Sequence, residues 1–431
     1  MWRAIPGIRG NKPFSALILE PPMFKFLHAA DLHMDSPLKG LSELDPTLAE
    51  QVRLASRMAF EKMIKLAKDE KVAFVLLAGD ILDGEIKDHG TIQFLLSRLG
   101  DLAQTIPVYV IRGNHDFVNN LGAALAWPKN VHQFGSDKPT TQLLHDYRVA
   151  IHGQSFASRA VDENLAANYP AAKPDFFNIG MLHTSLSGAE GHDTYAPVSP
   201  QELQQKKYDY WALGHIHKRA MVREGNPWIV FPGNIQGRSI RETGPRGCAL
   251  VTVEDSHLAK AQFVDLDAVR FHEVEVDLTG MELIEELPER IRTAGEQLVS
   301  PGVTVVRIRL MGETRLAGEI TANSQLNHEV RQMLSGLGKG IVLEKLKVEC
   351  VLPTHSASIS EDDGALLGEV VKDWVSNPNA LDTLLEGDKE YQDLRKKLAK
   401  VLPQNEVDAL LDPGDILPGL EHHLKTRTEQ L

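Results

Sequence analysis

The sequence predicts an α/β fold, because short apolar runs rich in β-forming residues alternate with helical patterns from Phe24 to about Val264. Each strand candidate ends in a polar or glycine-containing loop. The candidates are residues 24–30, 72–78, 107–112, 148–152, 177–183, 210–214 and 228–232. Between the first two strands, residues 48–69 carry apolar side chains close to helical spacing, which predicts a helix.

The pattern changes beyond this region, which predicts further domains. From about Phe271, alternating strands and helices indicate a smaller α+β domain over residues 269–353. Residues 354–431 hold 16 Asp and Glu against 8 Lys and Arg, and their apolar spacing predicts an acidic helical C-terminal segment. Residues 1–22 read as a dispensable extension, because Glu20 and two prolines end a short apolar run. The first domain is therefore expected over residues 23–268.

Composition places the chain among ordinary globular proteins, with 42% hydrophobic and 24% charged residues. The formal net charge is -13, so contact with a nucleic acid would need a local basic face. Cys248 and Cys350 are isolated thiols without metal-ligand spacing, which suits a reducing cytoplasm. No apolar run approaches the ~20 residues of a membrane-spanning helix, so we expect a cytoplasmic protein without a membrane segment.

Five polar clusters stand at the ends of five predicted strands. They are Asp31-Leu32-His33, Gly79-Asp80-Ile81-Leu82-Asp83, Gly113-Asn114-His115-Asp116, His183 and Gly214-His215-Ile216-His217. Residues i and i+2 of an extended chain point to the same side, so two of the clusters can each aim two ligands into one pocket. Each cluster alone fits a polar turn, a helix start or solvated histidines. Together, in this order, they predict a site for divalent metal ions.

Other catalytic chemistries find no support in the sequence. There is no P-loop of the form GxxxxGK[ST], and no serine or cysteine lies in a nucleophile elbow. Histidines without partners at ligand spacing, such as His28 and His152, are expected to be structural. His192, nine residues beyond His183, could lie in a substrate-binding loop.

The order of the five clusters resembles that of the calcineurin-like metallophosphoesterases. Within that superfamily, residues 26–33, 210–217 and 231–238 are similar to the SbcD-type DNA-repair exonucleases, including a YhaO-like branch. The resemblance is strong over residues 24 to about 250 and weak beyond. It implies a β-sandwich flanked by helices, a smaller α+β capping domain and a helical C-terminal tail.

The resemblance also implies roles for individual residues. Asp80 would bridge two divalent ions, with Mn²⁺ the first expectation and Fe²⁺, Zn²⁺ or Mg²⁺ as alternatives. One ion would be bound by Asp31, His33, Asp80 and His217, and the other by Asp80, Asn114, His183 and His215. His115 would stabilise the transition state or protonate the leaving oxygen, with Asp116 as a candidate partner.

Two further residues carry open alternatives. Asp83 stands where the better-known nucleases of the family often have histidine, and it could orient a water molecule at the metal centre or cap the next helix. Arg238 could bind a phosphate, because a guanidinium suits bidentate contact, or it could form a surface salt bridge.

The implied activity is a 3'-5' exonuclease on DNA, with endonuclease activity as a further expectation, acting in DNA repair. The family implies a homodimer and an SbcC-like ATPase of the SMC type, which we expect the C-terminal segment to bind. One alternative is a phosphoesterase acting on a small nucleotide or cyclic phosphodiester. Another is a protein that tethers DNA ends, with catalysis secondary.

Overall fold

The computed structural model describes residues 23–38, 46–83, 89–118, 126–186, 195–255, 257–296, 298, 302–337, 340–353, 392 and 395–396. The predicted extension of residues 1–22 lies outside the described residues, as does almost all of the predicted helical tail. The chain divides into two compact units. The first contains Met1–Leu278, Leu283–Gly312 and Glu319–Glu349, and the second contains Thr279–Glu282, Glu313–Gly318 and Cys350–Leu431.

Two six-stranded sheets form the first part of the larger unit. The first sheet runs in the order β12 (His257–Asp265), β11 (Gly247–Glu254), β1 (Phe24–Ala29), β2 (Phe74–Ala78), β3 (Val108–Ile111) and β4 (Val131–Gln133). Strands β1 to β4 are parallel, and β11 pairs antiparallel with both β1 and β12. The central strands are continuous apolar runs, as expected for strands buried on both faces.

The second sheet runs in the order β5 (Thr140–Leu144), β6 (Val149–Gly153), β7 (Phe177–His183), β8 (Tyr210–Gly214), β10 (Trp228–Phe231) and β9 (Ala220–Arg223). Strands β6, β7, β8 and β10 are parallel, and an antiparallel strand closes each edge. In both sheets the parallel strands are neighbours, so the loops that leave their carboxyl ends share one edge.

An aromatic core holds the two sheets together face to face. Phe26 stacks on Phe74 with ring centroids 5.0 Å apart, and it meets Tyr210 of the other sheet edge-on at 5.3 Å. Each of these buried rings stabilises the sandwich by roughly 2 to 3 kcal/mol through the apolar area it removes from water. The predicted sandwich fold is therefore confirmed.

Helices flank the sandwich. They are α1 (Pro46–Arg53), α2 (Ala55–Asp69), α3 (His89–Ala103), α4 (Asn114–Val118) and α5 (Pro200–Gln205). Helices α2 and α3 bury their apolar faces on the outer side of the first sheet. The predicted helix over residues 48–69 is present as two helices, because Leu54 leaves helical geometry at φ -94° and ψ 5°.

A third sheet contains β13 (Val269–Asp277), β14 (Val303–Met311) and β15 (Ile341–Val348), all parallel. The helices of this region are α6 (Leu287–Glu296), α7 (Ala317–Ala322) and α8 (Leu326–Leu337). Buried Ile291 of α6 and Leu334 of α8 cover one face of the sheet, as the helical spacing predicts. Phe271 and neighbouring valines pack against Val52 and Ala55 of the first two helices.

The smaller unit is described over short segments only. Thr314 donates a hydrogen bond from Oγ1 to the carbonyl of Met281 at 2.8 Å, and its N–H bonds the carbonyl of Val351 at 2.9 Å. The domain boundaries at residues 22, 268 and 353 stay predictions. Both cysteines are buried free thiols. In the described part of the chain, no helix is long and apolar enough to cross a membrane.

Candidate metal centre

The loops after β1, β2, β3, β7 and β8 bring the five polar clusters together at one edge of the sandwich. The backbone itself ties neighbouring loops: the N–H of Asp31 donates to the carbonyl of Gly79, and that of His33 to the carbonyl of Asp80, both at 3.0 Å. Parallel neighbours end at the same edge, so residues far apart in sequence become neighbours in space. The seven predicted ligands all lie in this cluster.

Four of these residues hold left-handed backbone conformations, with φ of 51° for Asp31, 41° for His33, 51° for Asp80 and 97° for His215. Such conformations cost about 1 to 3 kcal/mol each for residues other than glycine. The surrounding hydrogen bonds hold them, since the carboxylate of Asp31 accepts the N–H of His215 at 3.0 Å. Strain of this kind concentrates where geometry serves function.

His183 is fully buried in the cluster. Its Nδ1 donates to the carbonyl of Ala78 at 3.0 Å, which leaves Nε2 facing the cluster. That Nε2 lies 3.0 Å from Asn114 Oδ1 and 3.4 Å from Asp80 Oδ2. Burial alone would lower the pKa of His183, but the Asp80 carboxylate raises it to about 9. Nε2 is therefore a position where the site attracts positive charge, from a proton or from a metal ion.

A glycine makes room for this imidazole. A Cβ placed on Gly113 would lie 2.7 Å from His183 Nε2 and would also collide with Asp80 Oδ1. Real Cβ atoms do not approach other heavy atoms so closely, so any larger residue at position 113 would displace the ring. The close approach joins two loops that are 70 positions apart, and for that reason the sequence did not reveal it.

A second group forms around His33. Its Nε2 lies 3.1 Å from His217 Nε2 and 3.8 Å from Asp80 Oδ2, and His217 Nε2 is 3.9 Å from Asp31 Oδ1. Asp31, His33 and Asp80 are almost entirely buried. Burial raises the pKa of the Asp31 carboxyl, and the nearby Asp80 charge raises it further. Burial lowers the pKa of His33 well below its usual value.

The donor set of this cluster fits a pair of divalent cations. The ligand atoms fall into three groups, and within each group they lie within 4.8 Å of one another. The groups are Asp31, His33 and His217; His33, Asp80 and His115; and Asp80, His183 and His215. The first and second groups share His33, and the second and third share Asp80. Two buried carboxylates lie close together here, and bound cations would supply the positive charge that such a pair requires.

His115 stands at the open side of the cluster, with 37% of its side chain exposed. Its Nδ1 lies 3.0 Å from Asp83 Oδ1, and its backbone N–H donates to Asp80 Oδ1 at 2.9 Å. The hydrogen bond to Asp83 raises the pKa of His115 above its usual value. The protonated imidazole is therefore stabilised where a substrate could reach it.

The carboxylate that contacts His115 differs from the one expected. Asp116 was expected to partner His115, but its oxygens accept the N–H groups of Leu82 and Gly113, each at 2.9 Å, so it braces two loops. Burial raises the pKa of Asp116 to about 7. Asp83 is the carboxylate that contacts His115. Its other predicted role, as the cap of the next helix, stays a prediction, because residues 84–88 lie outside the described residues.

Arg238 lies between two carboxylates of the site. Its Nη1 is 3.5 Å from Asp83 Oδ2, and its Nη2 is 3.6 Å from Glu242 Oε1. Its side chain is 24% exposed. The salt-bridge interpretation of Arg238 thus describes its present contacts, and phosphate binding stays a prediction.

The sequence analysis missed Glu242. Its Oε1 lies 2.7 Å from His217 Nδ1, and it sits in the loop between β10 and β11. Burial alone would raise the pKa of this carboxyl, but the bond to His217 holds it well below its usual range. No local motif marks it, because it follows His217 by 25 positions.

The remaining predicted residues have separate outcomes. His192 lies outside the described residues, so its proposed place in a substrate loop stays a prediction. His28 is a buried structural residue, as expected: its two ring nitrogens contact Tyr210 Oη at 3.0 Å and the carbonyl of Leu213 at 3.1 Å. His152 likewise contacts Thr141 and Asn178.

Comparison with known proteins agrees with this architecture. Residues 24–219 match the calcineurin-like phosphoesterase family, and residues 271–351 match the middle domain of the metallophosphoesterase YhaO. A protein of Bacillus subtilis (strain 168), described as uncharacterized metallophosphoesterase YhaO, is 38% identical over 292 residues, which cover 67% of this chain and 71% of that protein.

Two more distant similarities complete the comparison. The SbcD component of the nuclease SbcCD from Staphylococcus saprophyticus is 24% identical over 283 residues, covering 58% of this chain and 71% of that protein. The crystal structure of a dimetal phosphatase from Danio rerio aligns with 53% of this chain and 92% of its own, at a TM-score of 0.33 and 10% identity. The chain belongs to the calcineurin-like metallophosphoesterases, in the branch that contains YhaO.

Proposed function

We propose that this protein is a DNA phosphodiester hydrolase that depends on two metal ions, with 3'-5' exonuclease action as its main activity and endonuclease action as a second one. The observation that carries the proposal is the buried cluster of predicted ligands with His115, held by Asp83, at its open side. The proposed ligands are Asp31, His33, Asp80, Asn114, His183, His215 and His217. When bound, two such cations activate a water molecule and neutralise charge on the phosphate.

The residues of the chain itself would perform the remaining steps. Asp80 would hold both cations, because its carboxylate faces both groups of imidazoles. His115 would donate a proton from its exposed edge to the leaving oxygen, and Asp83, in contact with Nδ1, would keep the imidazole protonated beforehand. Arg238, at the same opening, would contact the phosphate once its ion pairs rearrange.

DNA is the proposed substrate because the similarity to a nuclease component spans more than half of the chain. A small nucleotide or cyclic phosphodiester is the second candidate. The present contacts of Arg238 favour it, because both Nη atoms are paired with carboxylates of the site itself. The formal charge of -13 also gives DNA no general electrostatic attraction.

Mn²⁺ is the proposed metal, since carboxylate, amide and imidazole ligands suit it, and Fe²⁺, Zn²⁺ and Mg²⁺ remain alternatives.

The proposed partner is an SbcC-like ATPase bound through residues 354–431, with the protein itself a homodimer. A role in DNA repair and a cytoplasmic location complete the proposal. Deleting residues 354–431 should abolish co-purification with the ATPase and leave basal hydrolysis intact.

The test compares two substrates in one series. A DNA duplex labelled at either the 5' or the 3' end, and bis-p-nitrophenyl phosphate, are each incubated with Mn²⁺ and wild-type protein, His217→Ala or His115→Leu. His328→Ala serves as the matched control, because this histidine is exposed on α8. We expect wild type and His328→Ala to cleave both substrates, and both site variants to lose DNA cleavage.

The position of the label then shows the direction in which the DNA strand is degraded. Stepwise loss from the 3' end, seen as a ladder of 5'-labelled products, supports the exonuclease proposal. Hydrolysis of the small ester alone, with DNA left intact, would replace the proposal with the small phosphodiester. A wild-type protein inactive on both substrates, even with the ATPase added, would favour the tethering role.

A further inference from the structure

Glu242 makes a close contact with a predicted metal ligand. Its Oε1 lies 2.7 Å from His217 Nδ1, on the side of the ring opposite to Nε2. With the proton on Nδ1 shared with a carboxylate, Nε2 presents its lone pair towards Asp31 and His33. A carboxylate in this place fixes the tautomer of a metal-binding histidine and strengthens it as a ligand.

The carboxylate of Glu242 is itself held on its other oxygen. Oε2 accepts from Asn234 Nδ2 at 2.9 Å and from the backbone N–H of Arg238 at 2.7 Å. Asn234 is fully buried, and only 14% of the Glu242 side chain is exposed. These hydrogen bonds fix the orientation of the Glu242 carboxylate. Its contact with His217 is therefore part of the folded loop and not a contact between two freely moving surface side chains.

The same loop also forms hydrogen bonds with the backbone of His217. The N–H of Asn234 donates to the carbonyl of His217 at 3.3 Å, and Arg246 Nη1 donates to the same carbonyl. The loop between β10 and β11 therefore sets both the main chain and the ring of His217. Arg238 also lies 3.5 Å from Asp83 and 3.6 Å from Glu242, and so joins the carboxylates that contact His115 and His217.

We propose that Glu242 is a positioning residue, which orients His217 for metal binding. The inference rests on the proposed assignment of His217 as a ligand. It extends that assignment by explaining how a partly exposed histidine keeps one ring orientation. A purely structural role for Glu242, as a brace of the loop, would predict lower stability without a change in metal affinity.

Calorimetric titration of Mn²⁺ into metal-free protein separates these roles. The variants are Glu242→Gln, which keeps the shape of the side chain and a weaker acceptor, Glu242→Ala and His217→Ala. Glu344→Gln is the matched control, because Glu344 is also a part-buried carboxylate with close partners, but it pairs with Arg307 in the third sheet. The melting temperature of each metal-free variant is measured alongside.

We expect Glu242→Gln to weaken one class of Mn²⁺ binding by about 10 to 100-fold, and Glu242→Ala to weaken it at least as much. Glu344→Gln should bind Mn²⁺ like wild type. Excess Mn²⁺ should restore the hydrolysis rate of Glu242→Gln towards that of wild type, because affinity rather than chemistry is impaired. If Glu242→Ala does not fold, Glu242→Gln alone decides the test.

The outcomes distinguish the assignment of His217 as a metal ligand from the positioning role of Glu242. Unchanged Mn²⁺ binding by His217→Ala would overturn the ligand assignment on which the proposed function depends. Loss of binding by His217→Ala together with wild-type affinity in Glu242→Gln would overturn the positioning role alone. A lower melting temperature for Glu242→Gln with unaltered Mn²⁺ affinity would likewise leave Glu242 as a brace of the loop.

Discussion

The edge of the sandwich and the third sheet both contain clusters of charged side chains, but the charges are neutralised in different ways. In the third sheet, Arg307 pairs with Glu344 at 2.7 Å, and Arg309 pairs with Glu275 at 2.7 Å and with Glu349 at 2.6 Å. At the edge of the sandwich, Asp31 and Asp80 are buried among imidazoles.

The difference shows how the same residue types serve two purposes. Ion pairs that are open to solvent, such as that of Arg309 with Glu275, contribute little to stability, because solvent screens them and side-chain ordering opposes them. Buried carboxylates without a cation are costly, and a fold keeps them where a bound ion compensates them. Charge clusters on the two regions should therefore respond very differently to substitution and to metal removal.

The largest effect is expected from Asp80→Ala, which removes the carboxylate that the proposed ligand sets of both ions share. Several kcal/mol of transition-state stabilisation would disappear, so hydrolysis of bis-p-nitrophenyl phosphate should fall by about 10³-fold or more. The bound Mn²⁺ per chain, measured by elemental analysis, should fall as well. Asp146→Ala, at an exposed aspartate, is the control and should match wild type. Near-normal rate and metal content in Asp80→Ala would contradict the metal centre.

Removal of the metal ions is expected to have the second-largest effect. A cation present at about 100 times its dissociation constant stabilises the folded state by about 2.7 kcal/mol. Chelation should therefore lower the melting temperature by about 5 °C, measured by calorimetry or circular dichroism, and added Mn²⁺ should restore it. In Asp80→Ala the chelator should change little. An equal drop in both proteins would mean that the stabilising ion binds elsewhere.

Asp83→Asn should have an intermediate effect that depends on pH. The Asp83 carboxylate raises the pKa of His115, so the protonated donor persists to higher pH and is lost as pH rises through that pKa. Removing the charge lowers the pKa of His115, so the alkaline loss of activity should begin at lower pH. The rate above neutral pH should fall by about 10 to 100-fold.

The control for this variant is Ser36→Ala, which removes only the 2.8 Å hydrogen bond from the hydroxyl to Asp83. Its rate profile between about pH 6 and 9, a range that spans the ordinary pKa of histidine, should stay close to that of wild type on the same small ester, because Asp83 keeps its charge. An Asp83→Asn profile that coincides with wild type would contradict the role of Asp83 in keeping His115 protonated.

The smallest effect is expected in the third sheet. Glu275→Gln removes an ion pair whose glutamate side chain is 62% exposed. The melting temperature should move by no more than about 2 °C, and hydrolysis should stay within about twofold of wild type. A loss of activity comparable to that of Asp83→Asn would mean that the two regions are coupled in function.

Much of the fold could be predicted from local patterns. The apolar run at β2 predicts a strand buried on both faces, because every position of Phe74–Ala78 is apolar, and it is fully buried. The split of residues 48–69 into two helices could not be predicted, because Leu54 is a good helix former and the break is local backbone geometry. The parallel pairing of the third sheet likewise depends on long-range contacts.

The sequence by itself determined which residues form the cluster, because ligand types recur at strand ends in one order and parallel strands end at one edge. Only the tertiary structure decided how they are supported. Asp83 rather than Asp116 contacts His115, and Glu242 supports His217, because such contacts join loops that are 25 or more positions apart. Spacing along the chain carries no information about a hydrogen bond that forms only when separate loops pack together.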